Sequence, residues 1–420
     1  MLLVAAGLAL GSCAPRAGRA PAGQQVPAPA ADSEAFFPIM SWETPPRTGA
    51  LGDPEHGLAS LANCGYTVAA FVRPEDLPAC RRLGLCAMLR LDPVQQSWKG
   101  MADEQITDRV RQLVRDTARD PLVLGYFLKD EPDVSEFPAL GKAMDAVKRL
   151  APGKLAYVNL YPDYATLGAP DRSQLGTASY HEYLEQFVGE VRPQLISYDN
   201  YRVQYSMDLK NAATAESYYA NLLEVRRVAL EHGLPFWNIV SSNQIRPNTP
   251  PPSPANLLFQ AYTTLAAGGK GLTWYTYYSG GYKYSAVDDQ GRRTATWSYL
   301  RMVNGQVGVL GPVMTPLRST GVYFTAPAPA KSLPTLPGEL IEAVTAETAV
   351  MVGEFTGNGG ERYAMLVNLS LERSARVRVK LRGAAGGFVQ ISPMDATLLP
   401  PEADGSVWLA AGAGALLKLR

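Results

Sequence analysis

Histidine is scarce in this sequence, with 3 residues in 420, and cysteine occurs 4 times. Zinc sites draw their ligands from clustered cysteine and histidine, and the spacing of Cys64, Cys80 and Cys86 matches no such pattern. We therefore expect no metal site and no cofactor. Because Cys64 and Cys86 lie in apolar contexts, we expect buried unpaired thiols; a single oxidised pair is the alternative.

The sequence also has no excess of either charge, because Lys+Arg and Asp+Glu both number 39. Proteins that bind nucleic acid concentrate basic residues against the phosphates, so we expect no nucleic-acid partner. The length of 420 residues exceeds one ordinary core. It suits a parallel barrel of about 250–300 residues followed by a smaller domain.

The first nine residues form an apolar run that is too short to span a membrane and is typical of a signal peptide. The next four, Leu10-Gly11-Ser12-Cys13, resemble the lipobox of bacterial lipoproteins, although no Lys or Arg precedes the run. That resemblance implies lipidation at Cys13 and an exported, membrane-anchored protein in the periplasm or on the cell surface. An ordinary secretory signal with an incidental cysteine is the alternative. Residues 14–33 are rich in Ala and Pro and predict an extended linker.

From residue 36 the pattern alternates strand, loop and helix eight times. The predicted strands span residues 36–42, 66–72, 85–91, 124–130, 154–160, 195–199, 236–240 and 271–278. Because parallel strands need crossover helices, this alternation predicts a (β/α)8 TIM barrel over residues 34–315. A doubly wound open sheet would carry a glycine-rich turn after its first strand, and Trp42-Glu43-Thr44-Pro45-Pro46 has none.

After residue 316 the sequence changes to short strands separated by turn residues, at 321–325, 349–355, 363–369, 375–381, 387–392 and 415–419. Gly357-Asn358-Gly359-Gly360 is a strong hairpin turn. Residues 316–420 therefore predict a small all-β sandwich domain. A structural role is expected for it, and carbohydrate binding is the alternative.

The most informative stretch is the fourth predicted strand, Leu124-Gly125-Tyr126-Phe127-Leu128-Lys129, which runs into Asp130, Glu131 and Pro132. Charged groups at the end of a buried strand are costly unless they face a solvated cleft or have partners. In a TIM barrel the carboxyl ends of the strands form the active face, so Glu131 is a catalytic candidate. The alternative is a simple turn, in which Asp133 or Ser135 caps the next helix.

Four stretches resemble bacterial glycoside hydrolases of clan A and the β-galactosidase-like families, which have a TIM barrel and a C-terminal β-sandwich. They are residues 125–132, residues 261–275, and the terminal segments 363–370 and 411–417. The resemblance implies cleavage of O-glycosidic bonds in a carbohydrate substrate, with Glu131 as the acid/base. It departs from the family in two places: Asp130 stands where Asn is usual, and no carboxylate follows the seventh strand.

Glycoside cleavage needs a proton donor and a second group at the reacting centre. Crowding by Asp130 is expected to raise the pKa of Glu131, as a general acid requires. Asp199, at the end of the sixth strand, is the leading second group, and an Asx-turn role is its alternative. Weaker candidates are Glu43, Asp92 and Asp163. A carboxyl spacing of about 5–5.5 Å indicates retention, and about 6.5–9.5 Å inversion.

Adjacent Asp130 and Glu131, with Tyr198 before Asp199, also resemble hexosaminidases and chitinases, in which the substrate's acetamido group is the nucleophile. There Asp130 would orient that group. A non-catalytic glycan-binding lipoprotein on the same scaffold is the further alternative. The expected substrate-binding residues are aromatic and amide side chains and one acidic side chain near strand ends: Trp42, Glu43, Asn159, Tyr198, Asn200, Tyr201, Trp237, Asn238, Asn243, Trp274, Tyr275 and Tyr277.

Overall fold

The computed structural model describes residues 36–43, 53, 56–90, 97–205, 212–383 and 386–420. The predicted signal sequence and linker, the predicted lipidation at Cys13, and the candidate Asp92 lie outside the described residues. Among the helices of the described part, none is long and apolar enough to cross a membrane.

Eight parallel strands pair in chain order, and the barrel closes because the eighth pairs with the first. The strands are β1 (Ile39–Ser41), β2 (Val68–Val72), β3 (Cys86–Leu89), β4 (Val123–Asp130), β5 (Leu155–Leu160), β6 (Ile196–Asp199), β7 (Phe236–Ser241) and β8 (Gly271–Tyr275). The predicted TIM barrel is confirmed. Its strands are shorter than the sequence pattern suggested at β1, β3 and β8, because the apolar runs continue into the buried loops that follow or precede them.

A helix follows each strand and covers the outside of the barrel. The helices are α1 (Leu58–Asn63), α2 (Leu77–Leu83), α3 (Asp103–Val114), α4 (Phe137–Leu150), α5 (Tyr180–Gln186), α6 (Ala212–Glu231), α7 (Pro254–Ala266) and α8 (Ala295–Met314). In α3, the residues Ile106, Val110 and Leu113 are buried, as the spacing of the amphipathic pattern predicts. Gly84, with φ of 69°, ends α2 in the left-handed conformation that glycine adopts without strain.

Side chains of the barrel strands alternate between the barrel interior and the outer helices. On β4, Tyr126 and Leu128 belong to the outer core between strands and helices, whereas Phe127 belongs to the interior core. Gly125 pairs with Leu155 of β5, and a Cβ on Gly125 would lie 2.5 Å from the Leu155 carbonyl oxygen. A glycine at this position therefore lets β4 and β5 pack closely.

The β4–β5 pairing contains an irregularity that decides where Asp130 points. Phe127 pairs with Tyr157, but Lys129 pairs with Val158, so β4 carries one extra residue. Strict alternation from inward-facing Phe127 would place Asp130 on the outer face. The bulge reverses this, and Asp130 lies beside the inward-facing Asn159 of β5.

The C-terminal part is an all-β domain of two antiparallel sheets. The strands are β9 (Arg318–Phe324), β10 (Ile341–Thr345), β11 (Val350–Thr356), β12 (Arg362–Asn368), β13 (Ala375–Leu381), β14 (Phe388–Ile391), β15 (Leu398–Leu399), β16 (Ser406–Leu409) and β17 (Gly414–Leu419). The six-stranded sheet has the order β15-β14-β17-β12-β11-β9, and the three-stranded sheet has the order β10-β13-β16. One buried cluster takes side chains from both sheets. The predicted order, barrel then β domain, is confirmed.

Three cysteines in the described residues, Cys64, Cys80 and Cys86, are buried and form no disulfide, as expected. Burial raises the pKa of Cys80 to about 12 and that of Cys86 to about 11, and it raises the pKa of Cys64 further. Thiols with such pKa values carry almost no thiolate at neutral pH, so these side chains act as small apolar groups.

Candidate active site

The site begins where β4 ends. Glu131 directly follows β4 and has a φ of 45°, a conformation that is uncommon for residues other than glycine. Its backbone N–H donates to the Asn159 carbonyl oxygen at 2.9 Å, which continues the β4–β5 ladder one residue beyond the strand. Strained backbone of this kind is concentrated at functional sites, where surrounding contacts hold it in place.

Asp130 is fixed by a second contact from β5. The Asn159 Nδ2 donates to Asp130 Oδ1 at 3.0 Å, and Asn159 Oδ1 accepts from Ser197 Oγ of β6 at 3.3 Å. Ser197 also shares a 2.7 Å hydrogen bond with the Tyr157 hydroxyl. A polar chain inside the barrel therefore links β4, β5 and β6 beneath the carboxylates.

Asp199 is the last residue of β6 and is only 3% exposed. Its Oδ1 is buried and has no hydrogen-bond partner in the described protein. Burial raises the pKa of Asp199 well above its usual value, and the charges of Glu131 and Asp130 raise it further. Interaction with the Tyr201 side chain acts in the opposite direction. Burying a carboxylate whose oxygen has no hydrogen-bond partner is costly. The cost is relieved when the group takes up a proton, faces a positive charge or binds a polar ligand.

Glu131 and Asp199 come together from strands that are two apart in the barrel. Burial raises the pKa of Glu131 to about 7, the Asp130 charge raises it too, and interaction with the Asp199 side chain lowers it. Burial also raises the pKa of Asp130 to about 6, while the hydrogen bond from Asn159 lowers it. Three neighbouring carboxyl groups cannot all ionise cheaply, so the cluster holds a proton near neutral pH.

Aromatic side chains fill the barrel interior beneath this cluster. The Phe71 and Phe127 rings stack with centroids 4.1 Å apart, and Trp42 meets both edge-on at 5.0 and 5.7 Å. Trp42 is 7% exposed, so it supports the floor of the site with little surface open for stacking. Trp237 belongs to the same cluster but lies at the amino-terminal end of β7.

Half-buried tyrosines form one side of the rim. The Tyr201 and Tyr275 rings lie 5.2 Å apart, and the Tyr275 hydroxyl donates to that of Tyr282 at 2.9 Å. The Tyr164 hydroxyl accepts from the Tyr201 backbone N–H at 3.1 Å. Of the tyrosines in the predicted set, Tyr201 and Tyr275 are therefore beside the carboxylates. Tyr164 and Tyr282, on loops with no strand pattern, were not predicted.

Another part of the rim carries charge. Glu43 pairs with Arg90 at 3.5 Å, and the Arg90 guanidinium lies 5.5 Å from the Phe71 ring centroid. Glu43 is close enough for its charge to raise the pKa of Asp130. Tyr161 adjoins the other flank, where burial and the Glu131 charge raise the Tyr161 pKa to about 12. Arg90 and Tyr161 had no predicted site role, although each immediately follows a strand.

Five predicted substrate-binding residues lie away from the cluster, on the outer side of the barrel. The reason is strand alternation: with Asp199 facing inward, its neighbours face the helices. These residues are Tyr198, Asn200, Asn238, Trp274 and Tyr277. Four have partners on that side, which are Asn221 for Asn200, Thr264 for Asn238, Asn304 for Trp274 and Ser60 for Tyr277. Their placement corrects the expectation that these five side chains line the site.

Two further candidates hold intermediate positions. Asn243 is buried between the ends of β7 and β8, where its Nδ2 donates to Thr276 Oγ1 at 3.4 Å. Asp163 accepts from Ser217 Oγ of α6 at 2.8 Å, and burial raises its pKa to about 6. Asp163 therefore belongs to the contact between the β5–α5 loop and α6. Among the described residues no group of three or more His, Cys, Asp or Glu has metal-binding geometry.

Comparison with known proteins supports the fold. No family model matches the sequence, and no curated protein matches it either. A catalytic mutant of Gan42B, a GH42 β-galactosidase from G. stearothermophilus, is similar in structure with a TM-score of 0.61 and 8% identity, over 93% of this chain and 99% of that chain.

Two more solved structures are similar. A glycoside hydrolase family 5 protein from Bacteroides vulgatus has a TM-score of 0.55 and 12% identity, over 91% of this chain and 89% of that chain. A β-galactosidase from the psychrophilic Marinomonas ef1 has a TM-score of 0.49 and 9% identity, and this chain spans 62% of its length. At these identities the likeness to the first two structures, whose TM-scores exceed 0.5, shows a similar fold and nothing about activity.

Proposed function

We propose that this protein is a glycoside hydrolase that cleaves O-glycosidic bonds of a poly- or oligosaccharide, with Glu131 as general acid and Asp199 as the second carboxylate. The observation that carries the proposal is the meeting of these two side chains at the carboxyl end of the barrel. A general acid needs a pKa near the working pH, and the pKa of Glu131 is raised to about 7. The fold shared with known glycoside hydrolases supports the same function.

The proposed roles follow from the environment of each carboxyl group. Glu131 holds a proton near neutral pH and donates it to the leaving glycosidic oxygen. Asp199, when ionised, faces the positive charge that develops on the sugar ring, and its Oδ1 has no protein donor to compete for it. Asp130 remains fixed by Asn159 and keeps the pKa of Glu131 high.

A substrate-assisted route is the second mechanism that the geometry favours. β7 ends at Ser241 and is followed by Ser242 and Asn243, so no carboxylate occupies the position of the clan A nucleophile. The inward-facing Asp130 beside Glu131 suits an acetamido group, whose carbonyl oxygen would attack while Asp130 orients its N–H. This route predicts activity restricted to 2-acetamido sugars.

The test is hydrolysis of a panel of aryl glycosides and polysaccharides by the wild type, Glu131→Gln, Asp199→Asn and the control Glu104→Gln. Glu104 is exposed in the first turn of α3. We expect turnover in the wild type and in the control, and its loss in the two site variants. Glycan binding without turnover in the wild type would instead support a non-catalytic binding protein.

We also propose that the protein is exported and anchored by a lipid on Cys13, with residues 34–315 as the catalytic domain and 316–420 as the β domain. The support is the Leu10-Gly11-Ser12-Cys13 sequence followed by an Ala/Pro-rich linker. Expression in a bacterium with radiolabelled palmitate is expected to label the wild type and not Cys13→Ala. Equal labelling of both proteins would contradict lipidation at Cys13.

A further inference from the structure

The candidate active site contains one more carboxyl group than glycoside cleavage needs. The reaction uses a proton donor and a second group at the reacting centre, and the proposed function gives these roles to Glu131 and Asp199. Asp130 is the third carboxyl group. The bulge in β4 turns it inward, and its charge acts on both of the others. The third carboxyl group is therefore placed to bind the substrate rather than to break the bond.

Asp130 has acceptor capacity that the protein does not use. Asn159 Nδ2 donates to Asp130 Oδ1 at 3.0 Å, and no other group among the described residues hydrogen-bonds to this carboxyl. An ionised carboxylate has two oxygens, about four acceptor positions and no donor. Asp130 is also partly exposed, so its remaining acceptor positions are open to a ligand that donates hydrogen bonds.

The protein supplies no counter-ion to this cluster. In the described part of the chain, none of the three carboxyl groups forms an ion pair. The Lys129 charge lowers the pKa of Asp130, but Lys129 Nζ lies 3.0 Å from Glu136 Oε1 and is paired there. Arg90 is paired with Glu43 at 3.5 Å. Uncompensated negative charge above a floor of aromatic rings is costly, and a positively charged ligand group relieves that cost.

The side chain of Asp199 indicates a missing ligand independently. It is 3% exposed, and its Oδ1 is buried with no hydrogen-bond partner in the described protein. Buried side-chain oxygens in folded proteins nearly always have a partner. The unpartnered oxygen and the uncompensated charge together indicate that the substrate brings positive charge and hydrogen-bond donors into the cluster.

We propose that the sugar cleaved by this protein carries a free amino group on the carbon next to the anomeric carbon, and that Asp130 binds the resulting ammonium. The inference rests on the proposed function, in which Glu131 protonates the glycosidic oxygen on the anomeric carbon. Asp130 precedes Glu131 directly, and consecutive Cα atoms are about 3.8 Å apart. Asp130 is therefore within reach of the substituent on the adjacent sugar carbon.

An ammonium group matches Asp130 better than the other common substituents at that carbon. It has three N–H donors and a full positive charge. A hydroxyl or an acetamido group donates one hydrogen bond and is neutral, so either group leaves the negative charge of the cluster uncompensated. Hydrogen bonds between charged partners are stronger than neutral ones, so the ammonium gains most from this position.

The first test compares nitrophenyl glycosides that differ only at that carbon, with an amino, a hydroxyl or an acetamido group, in the gluco and galacto series. The assay is run at about pH 6, where the amine is protonated. In one of the two series we expect kcat/KM of the wild type to be about 10–100-fold higher on the amino glycoside than on the hydroxyl glycoside, the gain from one charged hydrogen bond. The acetamido glycoside should be cleaved no better than the hydroxyl one.

Substitution of Asp130 tests whether this residue causes the preference. In Asp130→Asn the ratio of kcat/KM on the amino glycoside to that on the hydroxyl glycoside should fall to about one, because the charge is lost. Asp130→Glu keeps the charge and should retain part of the preference. A ratio that stays at the wild-type value in Asp130→Asn would overturn the role of Asp130, whatever the substitution does to turnover in general.

Inhibition of the wild type gives a measurement that needs no variant. Glucosamine or galactosamine should inhibit at a concentration several-fold lower than the neutral sugar of the same series. Equal inhibition, equal cleavage of amino and hydroxyl glycosides, or a preference for the acetamido glycoside would overturn the inference and leave the hydrolase standing. Turnover of none of these glycosides would contradict the proposed function itself, and the inference with it.

Discussion

The carboxyl groups of Glu131 and Asp199 meet at the carboxyl end of the barrel although β5 lies between their strands. The left-handed backbone at Glu131 and the inward orientation of Asp199 both serve this contact. Burial raises the pKa of both groups; the Glu131 charge raises the pKa of Asp199 further, whereas the interaction with Asp199 lowers the pKa of Glu131. The arrangement keeps a proton available where a glycosidic oxygen would lie.

Because the pKa of Glu131 is raised, ionising this side chain lowers the stability of the folded protein. The unfolded chain loses this proton near the ordinary value of 4.5, and the folded protein loses it near 7. The folded state therefore binds more protons between these values, and its stability falls as pH rises from about 4.5 to about 7. Above about pH 7 the loss of stability that comes from ionising Glu131 is complete and changes no further.

We therefore predict that Glu131→Gln is more stable than the wild type at pH 8, by on the order of 1–3 kcal/mol. Near pH 4 the two proteins should have similar stability, because Glu131 is then protonated and close to glutamine in shape. Urea unfolding at both pH values measures this difference. A Glu131→Gln variant that is equally or less stable at pH 8 would show that Glu131 ionises without cost.

Tyr201 is predicted to set the acidic limit of activity. Its side chain lowers the pKa of Asp199, so Tyr201→Phe should raise that pKa further. Asp199 must be ionised to act, and the acidic limb of the profile of kcat/KM against pH should therefore move to higher pH. The matched control is Tyr282→Phe, because the Tyr282 hydroxyl contacts Tyr275. Coincident acidic limbs in wild type and Tyr201→Phe would remove this role from Tyr201.

Gly125 is predicted to be intolerant of any side chain. A Cβ at this position would lie 2.5 Å from the Leu155 carbonyl oxygen and 2.6 Å from the Leu155 Cβ. Gly125→Ala must push β4 and β5 apart, with a loss of about 1–3 kcal/mol in the free energy of unfolding. Because Asp130 and Glu131 follow on the same strand, activity should fall as well.

The control for this change is Gly308→Ala on α8, where a Cβ meets no atom within 4 Å. Alanine in a helix is favoured over glycine by roughly 0.5–1 kcal/mol, so this variant should be slightly stabilised and fully active. Thermal unfolding of both variants provides the comparison. Equal stability of Gly125→Ala and the wild type would mean that the β4–β5 contact is less tight than the structure shows.

The barrel could be predicted because its evidence is local and repeated. Each strand is a short apolar run, each helix has an amphipathic period, and glycines such as Gly84 and Gly233 end the helices. The β domain was predicted less completely. Strands β10, β15 and β16 were missed because they are short, and β10 and β15 are largely exposed, so they carry a weak apolar signal.

The site itself could be predicted only in part. Strand-end position indicated Asp130, Glu131 and Asp199, and the structure brings these three together. Strand-end position could not reveal the bulge in β4, because the bulge depends on the pairing of β4 with β5. This bulge turns Asp130 inward. The alternation of side chains along each strand also decides which aromatic side chains face the site. Tyr201 and Tyr275 lie at the rim, whereas other aromatic side chains near strand ends face the outer helices.

The most direct test of Glu131 as the proton donor compares leaving groups on the sugar that the wild type cleaves. A nitrophenolate leaving group departs without being protonated, whereas the oxygen of a natural sugar leaving group must be protonated as it departs. We predict that Glu131→Gln lowers kcat/KM by about 10²–10⁴-fold on the unactivated glycoside and much less on the nitrophenyl glycoside. An equal loss on both substrates, or no loss on either, would contradict the assignment of Glu131 as the general acid.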